Sequence, residues 1–169
     1  MGFKDLYSAL NSELPYIDMH FPDLNCGGCG AFALYLSKEL DKIGVDHSIV
    51  WIGENYGDCD EDTHELLHSV FHDNGQWSNV TNFHDVDISL THIMIDIDGY
   101  LVDSTGVYMS LDDTEFYMKS ELGVITQEQL EWLVSNPEGW NSWFNRDDMP
   151  KVNKMVKKAM KKIAKNLEN

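Results

Sequence analysis

The sequence lacks any apolar run that could cross a membrane. No hydrophobic stretch approaches the roughly 20 residues that a spanning helix needs. The residues after Met1 contain neither the apolar core of a signal peptide nor a myristoylation signal, which would place Ser or Thr at Leu6. We therefore expect a cytoplasmic protein without a membrane partner.

Cysteine is also scarce, with three residues in a chain of 169. An odd number of thiols without a secretion signal argues against a disulfide framework and favours thiols that are free or functional. Repeats and low-complexity segments are absent as well. The length suits a single domain with its own apolar core.

Positive charge is scarce over most of the chain. Twelve Lys and Arg residues stand against 29 Asp and Glu residues, so the formal charge is −17, which argues against nucleic-acid binding. Residues 151–169 carry seven lysines and one acid, a formal charge of +6, which leaves −23 for the rest. We expect a solvated acidic surface with the basic segment folded onto it. Mimicry of nucleic acid is the alternative that charge alone leaves open.

The basic segment has the pattern of a helix that begins at Pro150, because proline suits the first helical position. Apolar residues recur at helical spacing and lysines fill the opposite side. The apolar stripe comprises Val152, Met155, Val156, Ala159, Ile163 and Leu167. We therefore divide the chain into a main domain, residues 1–149, and a basic amphipathic helix, residues 150–169, docked on it.

The main domain mixes predicted helices with predicted strands. Residues 3–10 have helical spacing, and the prolines at 15 and 22 then predict extended or turning backbone, because a residue before proline avoids the α region. The clearest helix begins at Cys29 and ends at Gly44. The apolar run 48–52 predicts a buried strand. Further helices are predicted over residues 63–72, over residues 112–120 and after the N-cap residue Thr126.

Asp98-Gly99 lies between two alternating apolar runs and predicts a β-hairpin with a type I′ turn. Because side chains alternate between the faces of a strand, His92 and Asp103 then share one face. They are diagonal neighbours, roughly 7–8 Å apart and within reach of each other. The register pairs Ile97 with Tyr100, Ile95 with Val102 and Met94 with Asp103.

Cys29 follows a glycine-rich turn and opens the clearest predicted helix. A thiol there lies at the positive end of the helix dipole, among backbone N–H groups without intrahelical partners, which favours the thiolate form. Cysteine-dependent catalysis also needs a histidine to exchange the proton and a third group to orient that histidine. The hairpin offers such a pair in His92 and Asp103.

The segment Cys26-Gly27-Gly28-Cys29-Gly30-Ala31-Phe32 resembles the active-site segment of papain-like cysteine peptidases, in which Cys-Gly-x-Cys-x-Ala-Phe opens the central helix. The order of cysteine, histidine on a strand and acid on the next strand is similar to that of the wider papain and transglutaminase-like superfamily. The short interval between histidine and acid resembles its small bacterial and phage-type members. The resemblance spans about residues 23–36 and 90–106. It implies Cys29 as nucleophile, His92 as general base and Asp103 as the residue that orients His92.

Two positions depart from the papain-like pattern. Asp23 replaces the glutamine that donates to the oxyanion, and an ionised carboxylate cannot donate. Gly30 replaces the aromatic residue that usually follows the nucleophile. The Cys29 backbone N–H group, together with the Asn25 amide, would then have to stabilise the oxyanion. Asn25 is thus the candidate oxyanion donor.

Cysteine and histidine spacings leave metal and redox chemistry open. Cys26-x-x-Cys29 could join Cys59 and His64 in a zinc site, although only residue type pairs the two halves. A thioredoxin-like motif would need an apolar strand immediately before it, which is missing. His64-Glu65-Leu66-Leu67-His68 matches the zinc-peptidase pattern without an evident third ligand, so we prefer to interpret it as the polar face of a surface helix.

Together these patterns predict an α+β fold with a papain-like core, in which the nucleophile helix packs on a small antiparallel sheet surrounded by further helices. The predicted function is thiol-dependent acyl transfer at amide bonds, in the simplest case hydrolysis of a protein or peptide substrate by Cys29, His92 and Asp103, with no cofactor or metal. Deamidation and transamidation would use the same residues. Two other classes stay open: a non-catalytic acidic binding or inhibitor protein on a degenerate peptidase scaffold, and a zinc-binding protein.

Overall fold

The computed structural model describes residues 3–25, 27–53, 90–114, 121–135 and 145–167. Helices and strands occur together in these ranges, which confirms the predicted α+β class. Two helices come first, and the last strand is followed by two more. In chain order the elements are α1 (Phe3–His20), α2 (Cys29–Lys42), β1 (Ser48–Gly53), β2 (Leu90–Ile97), β3 (Tyr100–Asp103), β4 (Gly106–Tyr108), β5 (Glu121–Ile125), α3 (Gln127–Ser135) and α4 (Met149–Leu167).

The five strands of the described ranges form one antiparallel sheet in the order β4-β3-β2-β1-β5. The small antiparallel sheet was predicted, although β4 and β5 were not predicted as strands. Residues of β1 alternate between two apolar clusters, because successive side chains point to opposite faces. Ile49 and Trp51 join the main core, and Val50 and Ile52 join a smaller cluster with Met94 and Leu101.

Helix α2 packs against β2, as the predicted nucleophile helix should. Its apolar residues Phe32, Ala33, Leu36 and Leu40 are all buried in the main core. The helix ends where predicted: Gly44 has a φ of 69°, which favours glycine, and Val45 N–H donates to the Leu40 carbonyl at 3.1 Å.

Helix α4 docks on α1 and α2 through its apolar stripe. It begins one residue earlier than predicted, at Met149, so that Pro150 is its second residue. Met155 and Leu167 pack at the margin of the core, and Lys162 forms an ion pair with Glu13 on α1. The buried residues of the helix are Val152, Val156, Ala159, Met160 and Ile163.

The extended backbone predicted at Leu14-Pro15 is wrong, because α1 continues through Pro15 to His20. Proline inside a helix costs about 3 kcal/mol. Four side chains at helical spacing, each at most 3% exposed, lie in the core and offset that cost by several kcal/mol of apolar burial. They are Leu6, Leu10, Leu14 and Ile17. Phe21-Pro22 does begin the predicted turn, in which Leu24 N–H donates to the Phe21 carbonyl.

The predicted N-cap of α3 is confirmed. Thr126 Oγ1 accepts from Gln129 N–H at 3.1 Å, and Gln129 Oε1 accepts from Thr126 N–H at 2.8 Å. The helix predicted over residues 112–120 is wrong where it can be followed, because only a 3-10 turn at Leu111–Asp113 forms and Thr114 is extended. The helix predicted over residues 63–72 lies outside the described residues. None of the helices in the described ranges is both long and apolar enough to span a bilayer.

Candidate active site

The three predicted catalytic residues lie where α2 begins, β2 begins and β3 ends. Cys29 is the first residue of α2, His92 the third of β2 and Asp103 the last of β3. Because β2 and β3 are antiparallel, the start of one and the end of the other occupy the same end of the hairpin. The structure thus brings together three residues that the chain separates by up to 74 positions.

The hairpin has the predicted turn and register. Asp98 and Gly99 have φ angles of 54° and 86°, and a type I′ turn requires positive φ at both central residues. Asp96 Oδ1 accepts from Gly99 N–H at 2.8 Å and so stabilises the turn. Pairing of Ile95 with Val102 and of Ile97 with Tyr100 is confirmed.

A register irregularity lies beside His92. Ile52 of β1 pairs with His92, whereas the next residue, Gly53, pairs with Leu90, so Thr91 is an extra residue on β2. Bulges of this kind bend a strand and re-aim its side chains, and they are frequent next to active sites. The sequence gives no signal for it.

His92 lies against Asp103 and close to Cys29. Its Nε2 atom donates to Asp103 Oδ2 at 3.0 Å, so the predicted diagonal contact is confirmed. Cys29 is near enough to the same ring to raise the pKa of His92. Since Asp103 contacts Nε2, Nδ1 is the ring nitrogen suited to exchange a proton with Cys29 Sγ.

Charge and hydrogen bonding both favour a protonated imidazole. Burial by itself lowers the pKa of His92, but the neighbouring Cys29 charge and hydrogen bonding of the ring with Asp103 and Cys29 raise it to about 9. Burial raises the pKa of the Asp103 carboxyl, and the contacts with His92 and Thr105 outweigh that effect and hold it below its usual range. The arrangement therefore suits a protonated imidazole held by an ionised carboxylate.

Asp103 is held from several sides. Its Oδ1 accepts from the Thr105 backbone N–H at 2.8 Å and from Thr105 Oγ1 at 2.6 Å. An acid followed two residues later by threonine is a recognisable Asx-turn signal, so Thr105 could have been found from the sequence. Asn25 Nδ2 donates to Asp103 Oδ2 at 3.3 Å.

Asn25 lies beside the Asp103 carboxylate and contacts it through its amide nitrogen. Its Nδ2 has one hydrogen for Asp103 and a second that this contact does not use. Its role as oxyanion donor stays a prediction. The contact with Asp103 gives it a second role, which the sequence analysis missed.

The N-terminus of α2 provides another source of oxyanion donors. Gly28 occupies the N-cap and has no side chain to accept from the first turn, so capping does not use the Cys29 backbone N–H group. Asp23, at the position of the usual glutamine donor, is exposed. Backbone N–H groups at the start of α2 are therefore the donors that the site offers to a developing negative charge.

The site is closed to solvent. The exposed fractions of Cys29, His92 and Asp103 are 1%, 0% and 2%. Burial strengthens the electrostatic interactions among the three side chains because the local dielectric is low. It also means that a substrate or reagent can contact Cys29 Sγ only when the site opens.

Nothing in the described ranges gathers three or more His, Cys, Asp or Glu side chains in a way that could hold a metal ion. Cys26, Cys59, His64 and His68 lie outside the described residues. The two zinc hypotheses built on them therefore stay predictions.

A second polar cluster lies eight residues further along α2. Ser37, 0% exposed, contacts His47 Nε2 at 2.6 Å and accepts from Gln127 Nε2 at 2.8 Å. His47 Nδ1 donates to the Val45 carbonyl at 2.9 Å, which leaves Nε2 to accept from the Ser37 hydroxyl. The cluster borders a groove of about 300 Å³ and is internally satisfied.

Comparison of the chain with protein-family models, curated proteins and solved structures found no match. The geometry of the site therefore carries the functional conclusion.

Proposed function

We propose that the chain is a cysteine-dependent acyl transferase acting on amide bonds, in the simplest case a peptidase. Cys29 is the nucleophile, His92 exchanges the proton, and Asp103 orients His92. One observation carries the proposal: a single buried imidazole bonds a carboxylate 3.0 Å from its Nε2 and lies near a thiol at the start of a helix, close enough for that thiol to raise the pKa of the imidazole.

The proposed reaction needs no group beyond these residues and water. Cys29 Sγ attacks the amide carbonyl carbon, the Cys29 backbone N–H group stabilises the oxyanion, and the amine leaves with a proton from His92 Nδ1. Water, deprotonated by the same nitrogen, then hydrolyses the thioester and releases the acid. An amine that attacks the thioester in place of water gives transamidation. A glutamine side-chain amide as the substrate, with ammonia as the leaving group in the first step, gives deamidation.

The fold supports the papain-like assignment at a coarse level. A cysteine at the start of a helix packs near an antiparallel sheet, with histidine and acid on adjacent strands. Sequence motif and strand order agree with the resemblance, and we propose a papain-like core on those grounds. We further propose a protein or peptide substrate and a reducing compartment such as the cytoplasm, where Cys29 stays a thiol.

Selective alkylation tests the proposed thiolate. An ordinary thiol is ionised in about 0.3% of molecules at pH 6. Iodoacetamide at that pH should therefore modify Cys29 well ahead of Cys26 and Cys59, as measured by mass spectrometry of the digested protein. Equal modification of all three cysteines in folded protein would contradict the proposed thiolate at Cys29.

Cleavage of a peptide library tests catalysis itself. We expect turnover that Cys29→Ala abolishes, because the nucleophile is lost. The matched variant Cys26→Ala removes the other thiol of the same motif and should keep turnover. His92→Ala should also abolish turnover. Turnover that survives Cys29→Ala would refute the assignment of the nucleophile.

A non-catalytic binding protein is the second candidate. Burial of Cys29 at 1% exposure, together with the carboxylate Asp23 at the usual oxyanion-donor position, favours it. A folded protein whose Cys29 resists iodoacetamide at every pH and whose library assay shows no turnover would support this candidate over the first.

A further inference from the structure

The carboxylate of Asp103 accepts a full set of hydrogen bonds. Oδ2 accepts from His92 Nε2 at 3.0 Å and from Asn25 Nδ2 at 3.3 Å. Oδ1 accepts twice from Thr105, at 2.8 Å and 2.6 Å. A carboxylate has about four lone-pair positions, so its orientation is fixed from both sides. Asn25 is the one of these donors that lies outside the continuous segment from β2 to β4.

The orientation of the Asn25 amide follows from its neighbours. Asn25 Oδ1 accepts from Ser104 Oγ at 2.9 Å, and its Nδ2 faces Asp103. The opposite orientation would turn the amide oxygen toward a carboxylate and lose the hydrogen bond. Asp103 therefore determines that Asn25 presents its Nδ2 there, and Ser104 bonds the amide oxygen on the other side.

Ser104 in turn contacts a second acceptor. Its hydroxyl is 0% exposed and lies 2.9 Å from Asn25 Oδ1 and 3.0 Å from Asp18 Oδ1. One hydroxyl hydrogen cannot serve both oxygens at once. A proton on Asp18 resolves the conflict, because Asp18 then donates to Ser104 and Ser104 donates to Asn25. Every hydrogen bond in the series from Asp18 through Ser104, Asn25 and Asp103 to His92 then has one donor and one acceptor.

We propose that Asp18, Ser104 and Asn25 form a positioning relay, with Asp18 as its protonated end, that acts through Asp103 to hold His92 against Cys29. The relay rests on the proposed function, in which Asp103 orients His92. Its members are positioning residues, since their contacts are with Asp103 and with one another.

The surroundings of Asp18 shift its carboxyl toward the protonated form. Burial raises the pKa of the Asp18 carboxyl, the Ser104 hydroxyl lowers it, and the negative charge of Asp103 raises it further, with a net rise. Asp18 is half-buried on α1 and faces the end of β3.

Replacement of Ser104 by Ala tests the relay, with Ser37→Ala as the matched control. Both serines are 0% exposed and bonded to two side chains, but Ser37 belongs to the cluster with His47 and Gln127. The readouts are the pKa of His92, from NMR titration of its ring, and the rate of Cys29 alkylation by iodoacetamide at pH 6.

We expect Ser104→Ala to lower the pKa of His92 and to slow alkylation about tenfold, as loss of one relay hydrogen bond would. Ser37→Ala should leave both readouts at the wild-type values. Asn25→Ala should reproduce the effect of Ser104→Ala, and it replaces that variant if Ser104→Ala does not fold. Asn25 or Ser104 variants that match wild type in both readouts would overturn the relay.

Two variants of Asp18 test the proton at its end. Asp18→Asn keeps a donor toward Ser104 and should match wild type, whereas Asp18→Ala should resemble Ser104→Ala. If Asp18→Asn instead resembles Asp18→Ala, the protonated end is refuted. Absence of peptide cleavage by the wild type would refute the proposed function alone, because the NMR readout needs neither substrate nor access to Sγ.

Discussion

Replacement of His92 by Gln separates the two tasks of this side chain. The glutamine amide nitrogen lies near the position of imidazole Nε2, so it can still donate to Asp103 Oδ2. It cannot carry a titrating proton. The variant therefore keeps the hydrogen bond and removes the positive charge.

The size of the effect follows from the pKa of His92. Folding raises it from 6.5 to about 9, so the protonated ring stabilises the folded state. The contribution is fully present below pH 6.5 and is lost as the pH rises through 9. A change from 6.5 to about 9 corresponds to about 3 kcal/mol of unfolding free energy.

Urea unfolding at pH 6 and pH 9.5 measures this contribution. The quantity of interest is the unfolding free energy of wild type minus that of His92→Gln. This difference should be about 3 kcal/mol larger at pH 6 than at pH 9.5. His47→Gln is the control, because His47 contacts Ser37 and a backbone carbonyl rather than a carboxylate. A difference between wild type and His92→Gln that is the same at both pH values would refute the stabilising protonated state of His92.

Three further substitutions test how the fold holds the site, each by urea unfolding. Pro15→Ala should stabilise the protein by up to about 3 kcal/mol, because α1 passes through Pro15 and alanine restores the missing N–H donor; a loss of stability would contradict this. Gly99→Ala should cost about 1–2 kcal/mol through its φ of 86° alone, since no atom lies within 4 Å of the added Cβ, and an unchanged midpoint would contradict the turn type. Thr126→Ala should cost about 1 kcal/mol through loss of the N-cap, and no change would show that the cap is dispensable.

The hairpin was predictable because its determinants are local. Asp98-Gly99 specifies the turn, the turn fixes the register, and the alternation of faces then brings His92 to Asp103. The N-cap at Thr126 and the helix end at Gly44 are equally local. These elements needed no knowledge of the rest of the molecule.

The course of α1 was not predictable from its own residues. A local preference at Leu14-Pro15 for extended backbone is outweighed by packing of Leu14 and Ile17 against residues far along the chain. The contacts of Asn25 and Ser104 behind Asp103 could not be predicted from the sequence for the same reason. Asn25 and Asp103 are 78 positions apart, and Asp18 and Ser104 are 86 apart.

Stability alone gives a poor explanation for the triad. A charged carboxylate and a charged imidazole in a site that is at most 2% exposed lose their hydration. Apolar side chains of similar volume would fill such a site at equal or lower cost in free energy. What they could not supply is a nucleophile with its proton acceptor already oriented. The four hydrogen bonds to Asp103 keep the charges in a single arrangement, which is what the proposed reaction requires. Burial of Cys29 and proposed catalysis are therefore compatible if opening of the site, and not the chemical step, limits the rate. In that case the rate of Cys29 alkylation should rise with iodoacetamide concentration at low reagent, where the selectivity and the variants are compared, and should reach a plateau at high reagent.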